Sequence, residues 1–503
     1  MKLVKKSAAL LCLFLSPLQG AGEEKSVTFS KDIAPIIFEN CTTCHRPGQI
    51  GPFALTDYKT VKRRAKQIVE VTEDRTMPPW HADPGDVKFS NNRSLSPEQI
   101  KLLSDWVTAG RPEGDPAETP PLPEFHEKWQ IGEPDQIATM TERFTVRAEG
   151  SDIYRNFVIP MNLEEDRWVE AIEFLPGAPE IVHHILYFLD TSGKARKYDA
   201  EDKKPGFSMS KSNAGFSYIG GWDVGTQPTE LPHGLRFLIP KGADLVVQIH
   251  YHPNGREMTD QSSVGFHYSD KPTARPWSII QVPPHFGQMQ GIEIKAGDKE
   301  HIEEASFILP EDCEAFAVNA HAHYLAKRME LTATLPNGKA IRLLRTTRWD
   351  FRWQEDYSFE KPVKLPAGTR LDMLISYDNS ASNPNNPTSP PKNVKWGPQT
   401  TDEMGSITLA AMFETKEQKE ATHNALRFFL ANQFIDRIWE RRADVGNGNG
   451  NGNRKGQLQI AVGMLKALDK DNDSMLSPEE RKTAIALIQG MGFLKRFGAI
   501  GFE

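Results

Sequence analysis

The residues best suited to chemistry begin with Cys41-Thr42-Thr43-Cys44-His45, the sequence CTTCH. Two thiols at this spacing can add to the vinyl groups of a haem, and the histidine after the second can supply an axial imidazole. A zinc site could use the same cysteines but would want a second ligand pair, and a redox dithiol would want a thioredoxin-like βαβ context. For the other axial position the candidates are Met77 in TMPPW, the one methionine between residues 22 and 139, and His81. A thioether there raises the potential and a second imidazole lowers it.

Five of the 14 histidines fall in three short apolar segments: His183-His184 in VHHILYF, His250 in VQIHYH, and His321 with His323 in NAHAHYL. A strand sends residues two apart to one face, so His321 and His323 can address one metal ion. The adjacent pair His183 and His184 cannot do this from a regular strand. It requires a strand end, a bulge, or different ring nitrogens. A lone strand histidine is more often core or surface, so the grouping carries the signal. His252 shares the face of His250 and reads as a supporting or surface residue.

Near the C-terminus, DKDNDSMLSPEE places Asp469, Asp471, Asp473, Ser477 and Glu480 at EF-hand spacing, with the carbonyl of Met475 as a further oxygen. Such a set suits calcium in a structural role. Ser474 stands where that loop normally has glycine, and the competing reading is a charged, solvated helix cap.

At 503 residues the chain is too long for one core. A net charge of −7 and the absence of a nucleic-acid motif argue against a nucleic-acid partner. Residues 1–22 carry Lys2, Lys5 and Lys6, then an apolar run from Ala8 to Leu18, then Gly20-Ala21-Gly22, the pattern of a secretory signal peptide. That run is well short of the about 20 residues a spanning helix needs, and no later segment could cross a bilayer. The expectation is an exported protein, periplasmic or extracellular, without a transmembrane anchor. After the leader three cysteines remain, with Cys313 alone, so disulfides are not the scaffold.

The elements that must hold these groups follow from patterning. Residues 26–115 read as short helices with Pro-rich joints. The last is predicted from Ser96 to Ala109, with Ser96 as N-cap, Pro97 in first position, Gln99 closing a capping box and Gly110 as stop. Residues 116–129 form a stiff linker containing PAETPPLP. From 130 to 415 short alternating runs separated by Pro, Gly and Asn predict two tandem antiparallel β-sandwiches of jelly-roll type, 130–285 and 286–415, divided near Gln281 to Gly291. Residues 416–503 turn helical and include the tether GNGNGNGN at 446–453. The expected fold class is therefore multidomain: an all-α cytochrome c domain, two β-sandwich domains and a small α-helical EF-hand-like module.

With the histidine segments in order, the stretch from Gln130 to Thr415 resembles the copper type II, ascorbate-dependent monooxygenases, the group of peptidylglycine α-hydroxylating monooxygenase and dopamine β-hydroxylase. The resemblance implies one copper on His183, His184 and His250. It implies a second on His321, His323 and Met404 in TTDEMG, where His321, His323 and Met404 would be catalytic. Two imidazoles with a thioether favour Cu(I), whereas three imidazoles suit a copper that cycles by electron transfer. Peptide-processing members carry an Arg and a Tyr where this chain has Asn319 and Thr408, which puts a peptide C-terminus in doubt as substrate. Gln248 matches a residue on the substrate path of those enzymes, or is simply a polar residue on a strand face. The implied activity is hydroxylation of a small molecule's C–H bond with dioxygen, using two coppers. Electrons would come from an ascorbate-like reductant or a redox protein, or through the covalent c-type haem. A non-catalytic haem and copper protein that relays electrons or handles metal is the rival.

Overall fold

A computed structural model describes residues 27–47, 49, 51–125, 128–208, 216–223, 228, 230–397, 399–440, 462–469 and 476–490. The expected leader, the GNGNGNGN run, and Asp471, Asp473 and Met475 lie outside the described residues.

The N-terminal part begins with a π-helical turn, Phe29–Ile33, followed by helices α1 (Ala34–Asn40), α2 (Tyr58–Glu73) and α3 (Pro97–Thr108). Helix α2 starts where Asp57 accepts the backbone N–H of Thr60, and it buries Val61, Ala65, Ile68 and Thr72 on one face. Helix α3 has both hydrogen bonds of the predicted capping box, Ser96 with Gln99, and stops before Gly110, whose φ is +87°. These elements share a small core of Phe29, Ile33, Ile37, Leu103 and Trp106.

Two sets of strands make up the body. The first comprises β1 (Gln136–Thr139), β2 (Phe144–Val146), β3 (Ile153–Pro160), β4 (Arg167–Leu175), β5 (Val182–Asp190), β6 (Phe207–Ser208), β7 (Ser217–Asp223), β8 (Phe237–Ile239), β9 (Asp244–Tyr251), β10 (Met258–Asp260) and β11 (Ser263–Ser269). They form a four-stranded sheet in the order β1-β11-β4-β8, a five-stranded sheet β6-β3-β9-β5-β7, and the pair β10-β2. Alternating apolar residues of the two larger sheets, such as Val169, Val264 and Phe266 against Ile185, Val247 and Ile249, meet in one cluster.

The second set comprises β12 (Trp277–Val282), β13 (Glu293–Ile294), β14 (His301–Ile308), β15 (Cys313–Ala322), β16 (Ala326–Thr334), β17 (Ala340–Thr346), β18 (Asp356–Leu365), β19 (Arg370–Tyr377), β20 (Val394–Lys395) and β21 (Gly405–Met412). Its sheets run β12-β21-β15-β18 and β14-β19-β16-β17, with the pair β13-β20. Because β12 already pairs with β21, the change from one set to the next falls at residues 270–276, N-terminal to the Gln281 to Gly291 stretch expected. A long helix, Lys416–Glu440, follows, and its His423 Nε2 lies 2.6 Å from Ser278 Oγ on β12.

The expected fold class does not describe this molecule. The chain is β-rich, its strands lie in six antiparallel sheets, and no all-α cytochrome c domain stands among the described residues. The physical reason lies in residues 76–95, which form no helix and themselves pack onto the second set of sheets. Trp80 and Ala82 are buried in that set's core. Phe89 forms a bridge with Phe359, and Asp83 N donates to Arg345 O at 2.7 Å while its carboxylate pairs with Arg345 at 3.1 Å. Among the described residues, no helix is long and apolar enough to cross a membrane.

One ion pair at this junction gives a testable pH dependence. Arg93 holds Glu355 at 2.7 Å, with the carboxylate side chain 12% exposed. Burial pushes the Glu355 carboxyl up to about 7 from 4.5, although Arg93 opposes the shift. A carboxyl with a raised pKa keeps its proton longer in the folded protein, so its contribution to stability falls as pH rises. The unfolding free energy of the wild type, measured against Glu355→Gln, is therefore expected to decline between pH 4.5 and 7. A difference that stays flat across that window in urea titrations would mean the group ionises as it does in water.

Candidate metal centres

His184 and His250 lie directly opposite one another on β5 and β9, and the register slips between Val182 and His184. This bulge resolves the difficulty of the adjacent pair: the extra residue lets both His183 and His184 turn toward β9. The Nδ1 atoms of His183 and of His250 each lie 3.2 Å from Nδ1 of His184. Among the described residues this is the one group of three or more His, Cys, Asp or Glu whose ligand atoms all lie within 4.8 Å of one another.

Three imidazole nitrogens that close, with little water, must be neutral. Burial, reinforced by the charge of His250, lowers His183 to about 4 and His184 well below its ordinary value. His250 is lowered by burial despite its hydrogen bond to Asp152. Its Nε2–H donates to Asp152 at 2.7 Å, and Nδ1–H of the exposed His252 donates to the other carboxylate oxygen at 2.8 Å. Burial pushes the Asp152 carboxyl up, but these two histidines outweigh it and hold it at about 2. Asp152 thus fixes the tautomer of His250 and leaves Nδ1 as a lone-pair donor toward the cluster. On the other face of His250, the Tyr154 ring stacks with centroids 4.2 Å apart and an interplanar angle of 13°.

The second group forms where β15 ends beside the start of β21. His321 pairs with Ser406 and Ala322 with Gly405, so Met404 lies one residue beyond that last pair. The two imidazoles are 5.5 Å apart between centroids. Nδ1–H of His321 donates to Gln354 Oε1 at 2.5 Å, and Nδ1–H of His323 donates to the Asp402 carbonyl at 3.0 Å. Both bonds leave Nε2 as the free donor, the reverse of His250. Burial lowers His321 to about 3 and His323 to about 4, so both are neutral at physiological pH.

Glu403, fully buried, ties the ligand segments together. Its carboxylate accepts the backbone N–H of His323 at 3.0 Å, of Leu325 at 2.7 Å and of Met404 at 3.3 Å. Tyr377 donates its hydroxyl to the Met404 carbonyl at 2.9 Å, and Trp349 donates to the His323 carbonyl at 3.0 Å. Phe351 lies between the two groups, its ring centroid 6.5 Å from that of His184 and 5.5 Å from that of His323. The loop carrying Phe351 and Gln354 also meets the N-terminal segment through Glu355.

No protein-family model matches the chain. Comparison with curated proteins also gives no match. Solved structures similar to it include the glycosylasparaginase PNGase F from Flavobacterium meningosepticum, at 11% identity over 56% of this chain and 97% of that one, with a TM-score of 0.25. Allantoicase from Saccharomyces cerevisiae matches at 9% identity over 53% and 80%, with a TM-score of 0.15. An infectious bursal disease virus structure (Gx strain) matches at 9% over 56% and 73%, with a TM-score of 0.17.

At the CTTCH segment, the backbone N–H groups of Cys44 and His45 both bond to the Cys41 carbonyl, at 3.3 and 2.9 Å, so the three side chains belong to one tight turn. Both cysteines are free thiols, and burial raises each above its usual value, Cys41 to about 12. Nδ1–H of His45 donates to the Phe53 carbonyl at 3.1 Å, leaving Nε2 available. A Cβ on Gly51 would sit 2.6 Å from the Cys44 carbonyl and 2.8 Å from His45 Nδ1, so the turn closes only on glycine. Met77 and His81 lie in the segment that runs to the second set of sheets. His81 is lowered by burial, which the charge of Asp350 opposes.

At the EF-hand-like stretch, Ser477 and Glu480 make the reciprocal bonds of a capping box for the helix Pro478–Gly490. Glu480 accepts the N–H and the hydroxyl of Ser477 at 2.9 Å each, and Ser477 Oγ accepts Glu480 N–H at 3.4 Å. Asp469 is buried. Of the six calcium candidates, three are thus placed and two of those are engaged as a helix cap.

Asn319 and Thr408 turn out to be cross-strand partners, with Asn319 donating to the Glu355 carbonyl at 3.1 Å. Gln248 is buried on β9 and donates to Asn156 Oδ1 at 3.0 Å. The residues that sequence reasoning missed are Asp152, Tyr154, Phe351, Gln354 and Glu403. Only Glu403, adjoining Met404, had a visible cue.

Proposed function

We propose that the chain is an exported copper-dependent monooxygenase that hydroxylates a C–H bond with dioxygen. The observation that carries this reading is the meeting of three Nδ1 atoms on β5 and β9, across Phe351 from a pair whose free atoms are Nε2. The donor sets fit copper: neutral, desolvated imidazoles, three of which have the other nitrogen fixed, His250 by Asp152, His321 by Gln354 and His323 by the Asp402 carbonyl. His183, His184 and His250 would hold one ion, and His321, His323 and Met404 the other. Copper bound there would supply one-electron redox chemistry toward dioxygen. The chain's own residues orient the imidazoles, and Phe351 gives the gap an apolar wall that excludes water.

The turn at Cys41, Cys44 and His45 fits a covalently bound haem by the same test, with two free thiols and an imidazole whose Nδ1 is already engaged. Haem there supplies electrons one at a time. The contact of residues 76–95 with the second set of sheets supports a role for it in feeding the copper sites.

The test is to load the full chain with copper, count metal per chain, and supply a reductant and labelled dioxygen with candidate C–H substrates. Label in a hydroxylated product is expected. Two bound coppers without product from any substrate would favour a protein that relays electrons or stores metal. Met404→Leu keeps the bulk and removes the thioether, so it is expected to abolish product formation while the visible haem spectrum stays unchanged. Full turnover by this variant would remove Met404 from the site.

A further inference from the structure

The three-histidine group is largely closed to water, with the side chain of His250 only 2% exposed, so an ion bound there must first pass other groups. One line of contacts leads outward. Asp152, 18% exposed, bridges two histidines: its carboxylate accepts from His250 Nε2 at 2.7 Å and from Nδ1 of His252 at 2.8 Å, and His252 is 65% exposed. Exposure thus climbs from a buried imidazole through a carboxylate to an imidazole on the surface. The backbone N–H of His252 donates to the Ile181 carbonyl at 2.8 Å, which pins it beside the approach to β5, two positions before His183. The charge of His252 acts on both His183 and His250.

The bond from Nδ1–H leaves Nε2 of His252 as the lone-pair donor, and among the described residues no group bonds to it. Its neighbour is a carboxyl that burial pushes up but the two histidines hold at about 2, an anion throughout the physiological range. An exposed imidazole nitrogen beside a fixed negative charge attracts a metal cation. It offers too few donors to keep one, whereas the buried group presents three converging nitrogens. Orienting His250 does not require a second histidine on Asp152. Gln354 orients His321 with no ring behind it, its amide donating instead to the Phe351 carbonyl at 3.1 Å.

We propose that His252 is the loading ligand of the three-histidine group: its Nε2 takes up a copper ion at the surface and passes it by ligand exchange to His183, His184 and His250. The copper–nitrogen bond to His252 breaks as those to the buried imidazoles form, and the oxidation state of the metal does not change. The proposal rests on the reading of this group as a copper site. A station on the way speeds loading and unloading alike, so it acts on rates and leaves the equilibrium almost untouched.

The experiment is anaerobic stopped-flow uptake of copper(I) by the full chain, with the metal supplied as its coloured bicinchoninate complex, which fades as the chain takes the ion. His321→Ala is present throughout, so that the three-histidine group alone is filled. His252→Leu is expected to slow uptake by about tenfold or more, while the affinity read from the endpoint changes by less than about threefold. His252→Met, of similar size and with a thioether that binds copper(I), should restore most of the rate. His233→Asn, at another exposed histidine, should leave the rate unchanged. An unchanged rate in His252→Leu, an affinity that falls as far as the rate, or a His252→Met chain no faster than His252→Leu would each overturn the proposal and leave the copper site standing. A chain that takes up no copper at all would overturn both.

Discussion

Alanine in place of His250 is expected to leave the chain with one tightly held copper ion where the wild type would hold two. The substitution removes one of three converging Nδ1 atoms and leaves Asp152, 2.7 Å from where Nε2 was, without its buried partner. His183 and His184 could still offer two nitrogens, but the bulge aims them at a strand that would no longer complete the set. Changing only a supporting partner of a metal ligand costs about 10- to 100-fold in affinity, so loss of the ligand itself should exceed that. Copper counting after chelator challenge checks this. Asp152→Asn, which keeps the shape but not the charge, should fall in the 10- to 100-fold range. Wild-type retention of both ions by His250→Ala would remove this cluster from any metal-binding role.

Glu403→Ala is expected to be the most damaging single change to the fold around the second histidine pair. It removes the buried acceptor for three backbone N–H groups, those of His323, Leu325 and Met404. Each orphaned buried donor costs about 1–3 kcal/mol, so for three donors a total of about 3–9 kcal/mol is expected, a large share of a domain's stability. Urea unfolding should show the loss, and copper affinity at His321 and His323 should fall with it because the same bonds set the backbone of both ligand segments. Glu403→Gln retains one carbonyl oxygen and should fall between the two. A shift under 1 kcal/mol in Glu403→Ala would mean that the loop finds other acceptors.

The chain read one step at a time is reliable where the determinants are local. Helix α3 began and ended where Ser96, Pro97, Gln99 and Gly110 placed it, because a capping box and a left-handed glycine act within a few residues. The β-rich character from 130 to 415 was legible in alternation. The grouping of His183, His184 and His250 came from the resemblance, resting on an adjacent pair in one apolar strand and a single histidine in another. The mechanism that allows it, a register slip at His183, was one of three options left open.

What escaped the sequence depends on which segments meet. Met77 to Leu95 carries Pro, Asp and Asn and reads as a joint within a helical unit, yet Trp80 and Ala82 complete the core of sheets assembled from distant residues, Ile280 onward. No periodicity records such a partner, which is why the expected separate helical domain did not survive. Asp152, Gln354 and Glu403 are ordinary polar residues in turns until folding brings each against an imidazole or its backbone. The sequence by itself determined ligand types, the local caps and the strand faces, since these are set by bonds and periods along the chain. The tertiary structure alone decided which nitrogen of His250, His321 and His323 is free, because that rests on hydrogen bonds between distant segments whose closing no local pattern encodes.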